Sequence, residues 1–297
     1  MSRFPARYLG HEMPEHTAVF NTILGVQADL NDLMGGVQWR NATLENDHGF
    51  AYRRAIKLEV AEAIAFTPYK WWAKVDFNRP QFRMELIDAA HFLLSFTHVV
   101  QRSSKPYYWA GQMSAVQKVY TPLDAMREGW VNAEHAYGSK YNDLFAETEK
   151  ETSEHAVQHL ERLVSNLYGR HIATQVTYST FDLCGAWENL FSALFIVDPD
   201  FTVQNLLTEY LSKSVLNRFR TANGAKEHGL AYNKTQFLEN PATYVKVWAD
   251  DREDTEHLAD ILEGMLLAGG EIDNAKIMTA LTERYAKTIE AYQRIEQ

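Results

Sequence analysis

Four carboxylates stand out because of where they sit. Glu59 and Glu62 lie three residues apart in the run IKLEVAEAIAF (56–66), and Glu85 and Asp88 lie three apart in MELIDAAHFLL (84–94). A spacing of i, i+3 puts both members of a pair on one face of a helix. Both runs are apolar on nearly every side, and a helix that is hydrophobic all round is normally buried. Burying carboxylates without partners costs several kcal/mol each. The same two helices offer only Lys57 and Arg83 as nearby counter-charges. Divalent cations bridging the helices are the least costly remedy, and oxygen-only ligands favour Mg²⁺ or Mn²⁺ over zinc. A single E-x-x-E is common on solvated helix faces. Two pairs on consecutive apolar helices are not, and metal site and solvated face both stay open from composition alone.

A second set of residues suits anionic and polar ligands. Lys213, Asn217, Arg220 and Gly224 fall at i, i+4, i+7 and i+11, one face of a helix whose other face carries Leu207, Leu211, Val215 and Phe219. A lysine, an amide and an arginine on one stripe can hold a polyphosphate, arginine through its bidentate fork. The alternative is a solvated basic face near a helix C-terminus, which the helix dipole favours. Lys226, Lys234 and Lys246 follow in a less regular stretch and can reach the same phosphates. Gln27 and Asn31, at i, i+4, form an amide pair suited either to a base edge or to cross-linking helices. His91, beside the second acidic pair, reads most simply as a core histidine.

Helices must position these groups. Helical periodicity dominates, with spans expected at about 16–34, 50–66, 81–101, 141–168, 171–197, 201–223, 255–267 and 274–295. Gly35-Gly36 stops the first helix and Thr67-Pro68 the second, since a proline disfavours helix in the residue before it. No alternating strands are convincing. Residues 103–138, richer in Tyr, Trp, Gly and Pro, read as an irregular insertion or lid, extending to about 140; residues 224–254 also read as irregular. No repeat appears, so the expectation is an all-α helical bundle, one domain over 1–297.

Composition sets the outer bounds. The chain has 297 residues, 46% apolar and 23% charged, with 7 Trp, 15 Tyr and 15 Phe, enough for a large core. A net charge of −10 argues against broad binding to nucleic acid or anionic membrane. Cys184 is the only cysteine, which excludes an intramolecular disulfide and points to a reducing compartment. The opening MSRFPARYLGHEMPEH lacks the apolar stretch of a secretory signal. No apolar run approaches the roughly 20 residues of a membrane span. The expectation is a cytoplasmic protein, of a cell or of an infected host cell.

Together these pieces resemble the dimeric dUTPases, an all-α family related to the MazG-type nucleoside triphosphate pyrophosphohydrolases and to phage dCTP pyrophosphatases. The family signature, E-x-x-E, a spacer and E-x-x-D, reads here as Glu59–Glu62 and Glu85–Asp88, followed by a family-like His91-Phe92-Leu93-Leu94-Ser95. Between the pairs lies the family-like turn Tyr69-Lys70-Trp71-Trp72-Ala73-Lys74. Upstream, residues 26–32 (VQADLND) resemble the Gln- and Asn-bearing first helix. Downstream, Tyr210–Lys213 and Val215–Arg220 resemble the phosphate-binding helix, and Glu253-Asp254 fits the end of that motif. The resemblance covers the N-terminal third and about 205–265. The family has Lys-Asn where this chain has Lys213-Ser214, and Gly-Tyr-Lys where it has Gly224-Ala225-Lys226.

The resemblance implies the helical bundle of the all-α NTP pyrophosphohydrolase type and an Mg²⁺-dependent hydrolysis of dUTP to dUMP and pyrophosphate. It implies that Glu59, Glu62, Glu85 and Asp88 hold two or three Mg²⁺ ions, with Mn²⁺ as a substitute, and that Glu62 activates the attacking water. Lys213, Asn217, Arg220, Tyr244 and Lys246 would bind the phosphates, and Gln27, Asn31, Trp72, His91 and Phe92 the base. The partners implied are a deoxyribonucleoside triphosphate and a second copy in a homodimer, with neither nucleic acid nor membrane. Two other readings remain: a dCTP or modified-pyrimidine triphosphate pyrophosphatase, and a non-catalytic α-helical binding protein.

Overall fold

Helical periodicity is realised almost throughout. The computed structural model describes residues 14–41, 52–69, 75–103, 121–138, 148–167, 170–172, 175–177, 180–268 and 273–294. In chain order, α1 (Pro14–Gly35) runs into a 3₁₀ turn at Gly36–Asn41, and Gly36 takes the left-handed conformation (φ 61°) that glycine adopts without a Cβ penalty. Next come α2 (Tyr52–Ala65) and α3 (Arg79–Ser103). The end of α2 is closed by Thr67, whose backbone N–H and hydroxyl both donate to the Ile64 carbonyl.

The stretch read as an irregular insertion differs in part. Residues 104–120 lie outside the described ones, but Pro122–Tyr137 form a regular helix, α4. Its start is a reciprocal capping box between Thr121 and Asp124 with proline in the first turn. The Trp and Gly content that suggested irregularity is instead core: Gly129 and Trp130 are both buried. Helix α5 (Glu149–Asn166) opens on a second capping box, Thr148 with Glu151. The helix expected from 171 begins only at Thr180, as α6 (Thr180–Val197). Ahead of it, β1 (Arg170–Ile172) and β2 (Gln175–Thr177) pair antiparallel. The local cause is the β-branched composition of the two strands, with Ile172, Val176 and Thr177.

Helix α7 (Val203–Ala222) follows, then a stretch of short elements: α8 (Ala225–His228), β3 (Leu230–Ala231), α9 (Lys234–Glu239) and β4 (Tyr244–Val245), with β3 and β4 parallel. Helices α10 (Asp254–Leu267) and α11 (Asn274–Gln293) complete an all-α protein with almost no strand. Among the described residues no helix is long and apolar enough to cross a membrane.

The chain divides into two compact units, one of residues 1–25 and 38–207, the other of 26–37 and 208–297. In the first, α2 packs along α3, and α6 packs between α4 and α5. Its core is aromatic: Trp130 meets Phe195 at 4.9 Å and Phe191 at 5.1 Å between ring centroids. Each such ring buries a large apolar area, and edge-to-face pairs add about 0.5–1.5 kcal/mol beyond it. Gly129 permits the close approach of α4 to α6, since a Cβ there would lie 2.6 Å from the Trp187 Cβ.

In the second unit, Phe219, Tyr244, Trp248, Leu258, Leu281 and Tyr285 form a continuous core. Tyr244 stacks on Tyr285 at 5.1 Å. Helix α11 also ties down the stretch before α10, because the Tyr285 hydroxyl accepts from Val245 N–H at 2.9 Å and the Tyr292 hydroxyl donates to the Val247 carbonyl at 3.0 Å.

Candidate functional site

The two acidic helices do not bury themselves in the same way. On α3 nearly every residue from Phe82 to Val100 is buried, as its apolar run predicts. Helix α2 differs from the expectation: it buries only the stripe Tyr52, Ile56, Val60 and Ala63. Leu58, at 62% exposure, and Glu62 face outward. Counting apolar residues could not reveal this, because α2 carries Ala63 on its packed side and Leu58, Ala61 and Ala65 on its open side.

The packed side is where the carboxylates converge. Glu59, half-buried on α2, and Glu85 and Asp88 on α3 each offer a carboxylate oxygen, all within 4.8 Å of one another. Glu62 stands outside this group. Glu85 is buried, so at least one of these charges sits away from bulk water. Glu59 records the consequence. Burial first, then the charges of Asp88, Glu85 and Glu62, push its carboxyl up from the ordinary value to about 8, and a hydrogen bond with Glu85 holds the proton. Arg83, one of the two nearby cations, forms an ion pair with Asp198 at 2.8 Å. Three hard oxygen donors from two helices, with one carboxyl forced toward neutrality by burial and by its neighbours, suit a hard divalent cation better than any other inorganic guest. Further along α3, His91 is buried and Phe92 half-buried, while Trp72 lies outside the described residues.

The second unit holds the amide and basic residues. On the 26–35 part of α1, Gln27 and Asn31 are both buried. Gln27 Nε2 donates to Asn31 Oδ1 at 2.9 Å, and the Tyr210 hydroxyl of α7 donates to Gln27 Oε1. Burial raises the Tyr210 phenol above its ordinary value, which keeps it protonated and a donor. The pair therefore takes the cross-linking geometry that its spacing left open.

On α7 the Lys213 side chain is not solvated. The residue is 2% exposed, between the buried Ser212 and Ser214. A solvated basic face does not describe it. Asn217 and Arg220 are half-buried and touch, Arg220 Nη1 donating to Asn217 Oδ1 at 3.2 Å. Tyr244 is buried on β4, and Lys246 pairs with Glu253 at 3.6 Å. Lys226 donates to the Leu33 carbonyl at 2.7 Å.

The structure adds Asp254, which sequence reasoning passed over as the end of a motif. The residue is 0% exposed and opens α10. Its carboxylate accepts Arg220 Nε at 2.7 Å and Nη2 at 2.6 Å, and the Tyr244 hydroxyl at 2.9 Å. Burial alone would raise this carboxyl. The Arg220 charge and fork, the Lys213 charge and the Tyr244 hydroxyl outweigh it and hold the group below its ordinary value. In sequence, an acid in the first turn of a helix reads only as dipole complementarity. Its partner is 34 residues away, and no local pattern carries that pairing.

A family model described as dUTPase matches residues 20–224, a span that contains both carboxylate pairs and the Lys213–Arg220 stripe and ends before Tyr244, Lys246 and Asp254. No curated protein matches the chain significantly. With the acidic cluster and the α7 stripe both inside the matched span, the chain belongs to the all-α dUTPase family, a family of dUTP-hydrolysing and related nucleotide pyrophosphatases.

Proposed function

We propose that the chain converts dUTP to dUMP and pyrophosphate in an Mg²⁺-dependent hydrolysis. The observation that carries the reading is the convergence of Glu59, Glu85 and Asp88 from two helices onto one point. Those carboxylates hold the metal, two or three ions by family resemblance, with Glu62 completing the set. When bound, Mg²⁺ supplies the positive charge that makes water a competent nucleophile and offsets the triphosphate oxygens. Glu62, exposed and three residues beyond Glu59 on α2, accepts the proton of the attacking water. Lys213, Arg220 and Lys246 offset the charge that develops on the leaving pyrophosphate, with Asn217 and Tyr244 in support. By family resemblance, base recognition falls to Trp72, His91 and Phe92 and to the Gln27–Asn31 pair, which its own hydrogen bond and that from Tyr210 hold in place. The working form is a cytoplasmic homodimer.

One feature favours a second reading. Ser214, buried beside Lys213, replaces the asparagine that the family carries there, so dCTP or a modified pyrimidine triphosphate is the alternative substrate. The test is pyrophosphate release from dUTP, dCTP, dTTP, dATP and dGTP, each with Mg²⁺ and with EDTA. Mg²⁺-dependent preference for dUTP is expected. Preference for dCTP transfers the chemistry to another base, and no turnover of any of them overturns the dUTP reading in favour of a modified nucleotide or a binding protein.

A further inference from the structure

We propose that Asp254, braced by Tyr244, is a positioning residue that fixes the guanidinium of Arg220 for the polyphosphate of the substrate. The inference rests on the function proposed above and joins Arg220, inside the span that the family model matches, to Tyr244 and Asp254, which lie beyond it.

The geometry is that of a clamp. Arg220 engages both oxygens of Asp254 through Nε and Nη2, the side-on fork, and spends an Nη1 proton on Asn217. Three contacts on a planar group fix both its place and its plane. The Arg220 side chain keeps 19% of its surface exposed while that of Asp254 has none, so the cation reaches toward solvent from a fully buried anchor. The anchor is itself fixed. Tyr244 donates to Oδ2 from a ring stacked on Tyr285 and edge-on to Phe219. Asp254 N–H donates to the Lys246 carbonyl at 3.1 Å, which ties its backbone to the residue that directly follows β4 and Tyr244.

A buried ion pair is poor evidence for stability, since the desolvation of both charges can exceed their attraction. It is well suited to pre-organisation. A free arginine loses substantial rotamer entropy on gripping a phosphate, and a guanidinium already held in place has lost it during folding. Tyr244, assigned by resemblance to the substrate, then acts through Asp254 instead of touching the nucleotide.

Two roles for Asp254 make opposite predictions. If the carboxylate only balances buried positive charge, Asp254→Asn leaves the region more cationic and tightens binding of a polyanion. If it positions Arg220, binding weakens although the local charge has become more positive. The assay is calorimetric binding of α,β-imido-dUTP with Mg²⁺ to wild type, D254N, R220A and the double variant. Alongside it run deoxyuridine binding, thermal melts and kcat and KM for dUTP. A charged hydrogen-bonded contact of this kind translates to a Kd increase of roughly ten- to hundredfold in D254N. The cycle with R220A should close, D254N adding nothing once Arg220 is gone. Deoxyuridine, which has no phosphate, should bind D254N as it binds wild type, an outcome that general damage to the fold would not give.

Unchanged or tighter analogue binding in D254N overturns the inference, and so do additive effects of D254N and R220A. Should D254N fail to fold, Tyr244→Phe keeps the stacked ring and removes one bond to the anchor. It should weaken analogue binding several-fold in wild type and not at all with R220A, and no change in either overturns the proposal. If wild type does not cleave dUTP, the proposed function falls separately, and the same cycle is then read with inorganic pyrophosphate as the probe.

Discussion

Removing the charge of Glu59 should stabilise the metal-free protein, and the gain should depend on pH in a defined direction. The carboxyl is pushed up from 4.5 to about 8 by burial and by Asp88, Glu85 and Glu62. A carboxylate raised in the folded state contributes its full stability below the unfolded value and loses it as pH climbs toward the folded value. Without metal, the penalty therefore begins near pH 4.5 and is complete near pH 8. Taken at face value the shift is worth about 5 kcal/mol, and the partial exposure of the carboxyl to screening water reduces that to roughly 2 kcal/mol. Glu59→Gln keeps the shape and removes the charge. In urea melts of EDTA-treated protein, the variant should match wild type near pH 4.5 and exceed it by about 2 kcal/mol at pH 8.5. The difference between the two proteins cancels titrating groups that do not interact with Glu59, including Asp254, whose lowered carboxyl acts at lower pH. Mg²⁺ should reverse the order, stabilising wild type at pH 8.5 and leaving Glu59→Gln little changed. A variant less stable than wild type at pH 8.5 without metal would refute the reasoning, because it would mean that the three carboxylates are already compensated.

Other substitutions probe separate parts of the argument. Glu62→Ala, at an exposed position outside the converging group, should nearly abolish dUTP turnover while moving the folding free energy by no more than about 0.5 kcal/mol; near-normal kcat would remove Glu62 from the mechanism. Gly129→Ala places a Cβ 2.6 Å from the Trp187 Cβ and 2.7 Å from the Glu188 amide nitrogen, so urea midpoints should report a loss of about 1–3 kcal/mol. Trp130→Ala vacates the centre of the aromatic cluster with Phe191 and Phe195, and should cost about 3–5 kcal/mol by the same measurement, an unaffected midpoint being incompatible with that core.

How much was legible beforehand varies with the range of the interaction. The ends of α2, α7, α10 and α11 fall within a few residues of their expected places, because Thr67-Pro68 and the 3.6-residue periodicity act locally. Helix α4 was missed even though its capping box, Thr121 with Asp124, is written in consecutive residues; glycine and tryptophan content masked it. The strand pair at 170–177 reads as helix from periodicity, because its short β-branched run carries no glycine or proline to set it apart from α6.

The sequence by itself determined the all-α class and the pairing of carboxylates on helix faces, since both follow from spacing along one chain. Only the tertiary structure decided that Glu59, Glu85 and Asp88 converge while Glu62 turns outward, because that depends on which side of α2 meets α3. Only it decided that Lys213 is buried and that Arg220 is held by Asp254 and Tyr244. Spacing sets which residues share a face, whereas burial and long-range pairing are set by what that face meets, and no local pattern encodes the meeting of segments far apart in the chain.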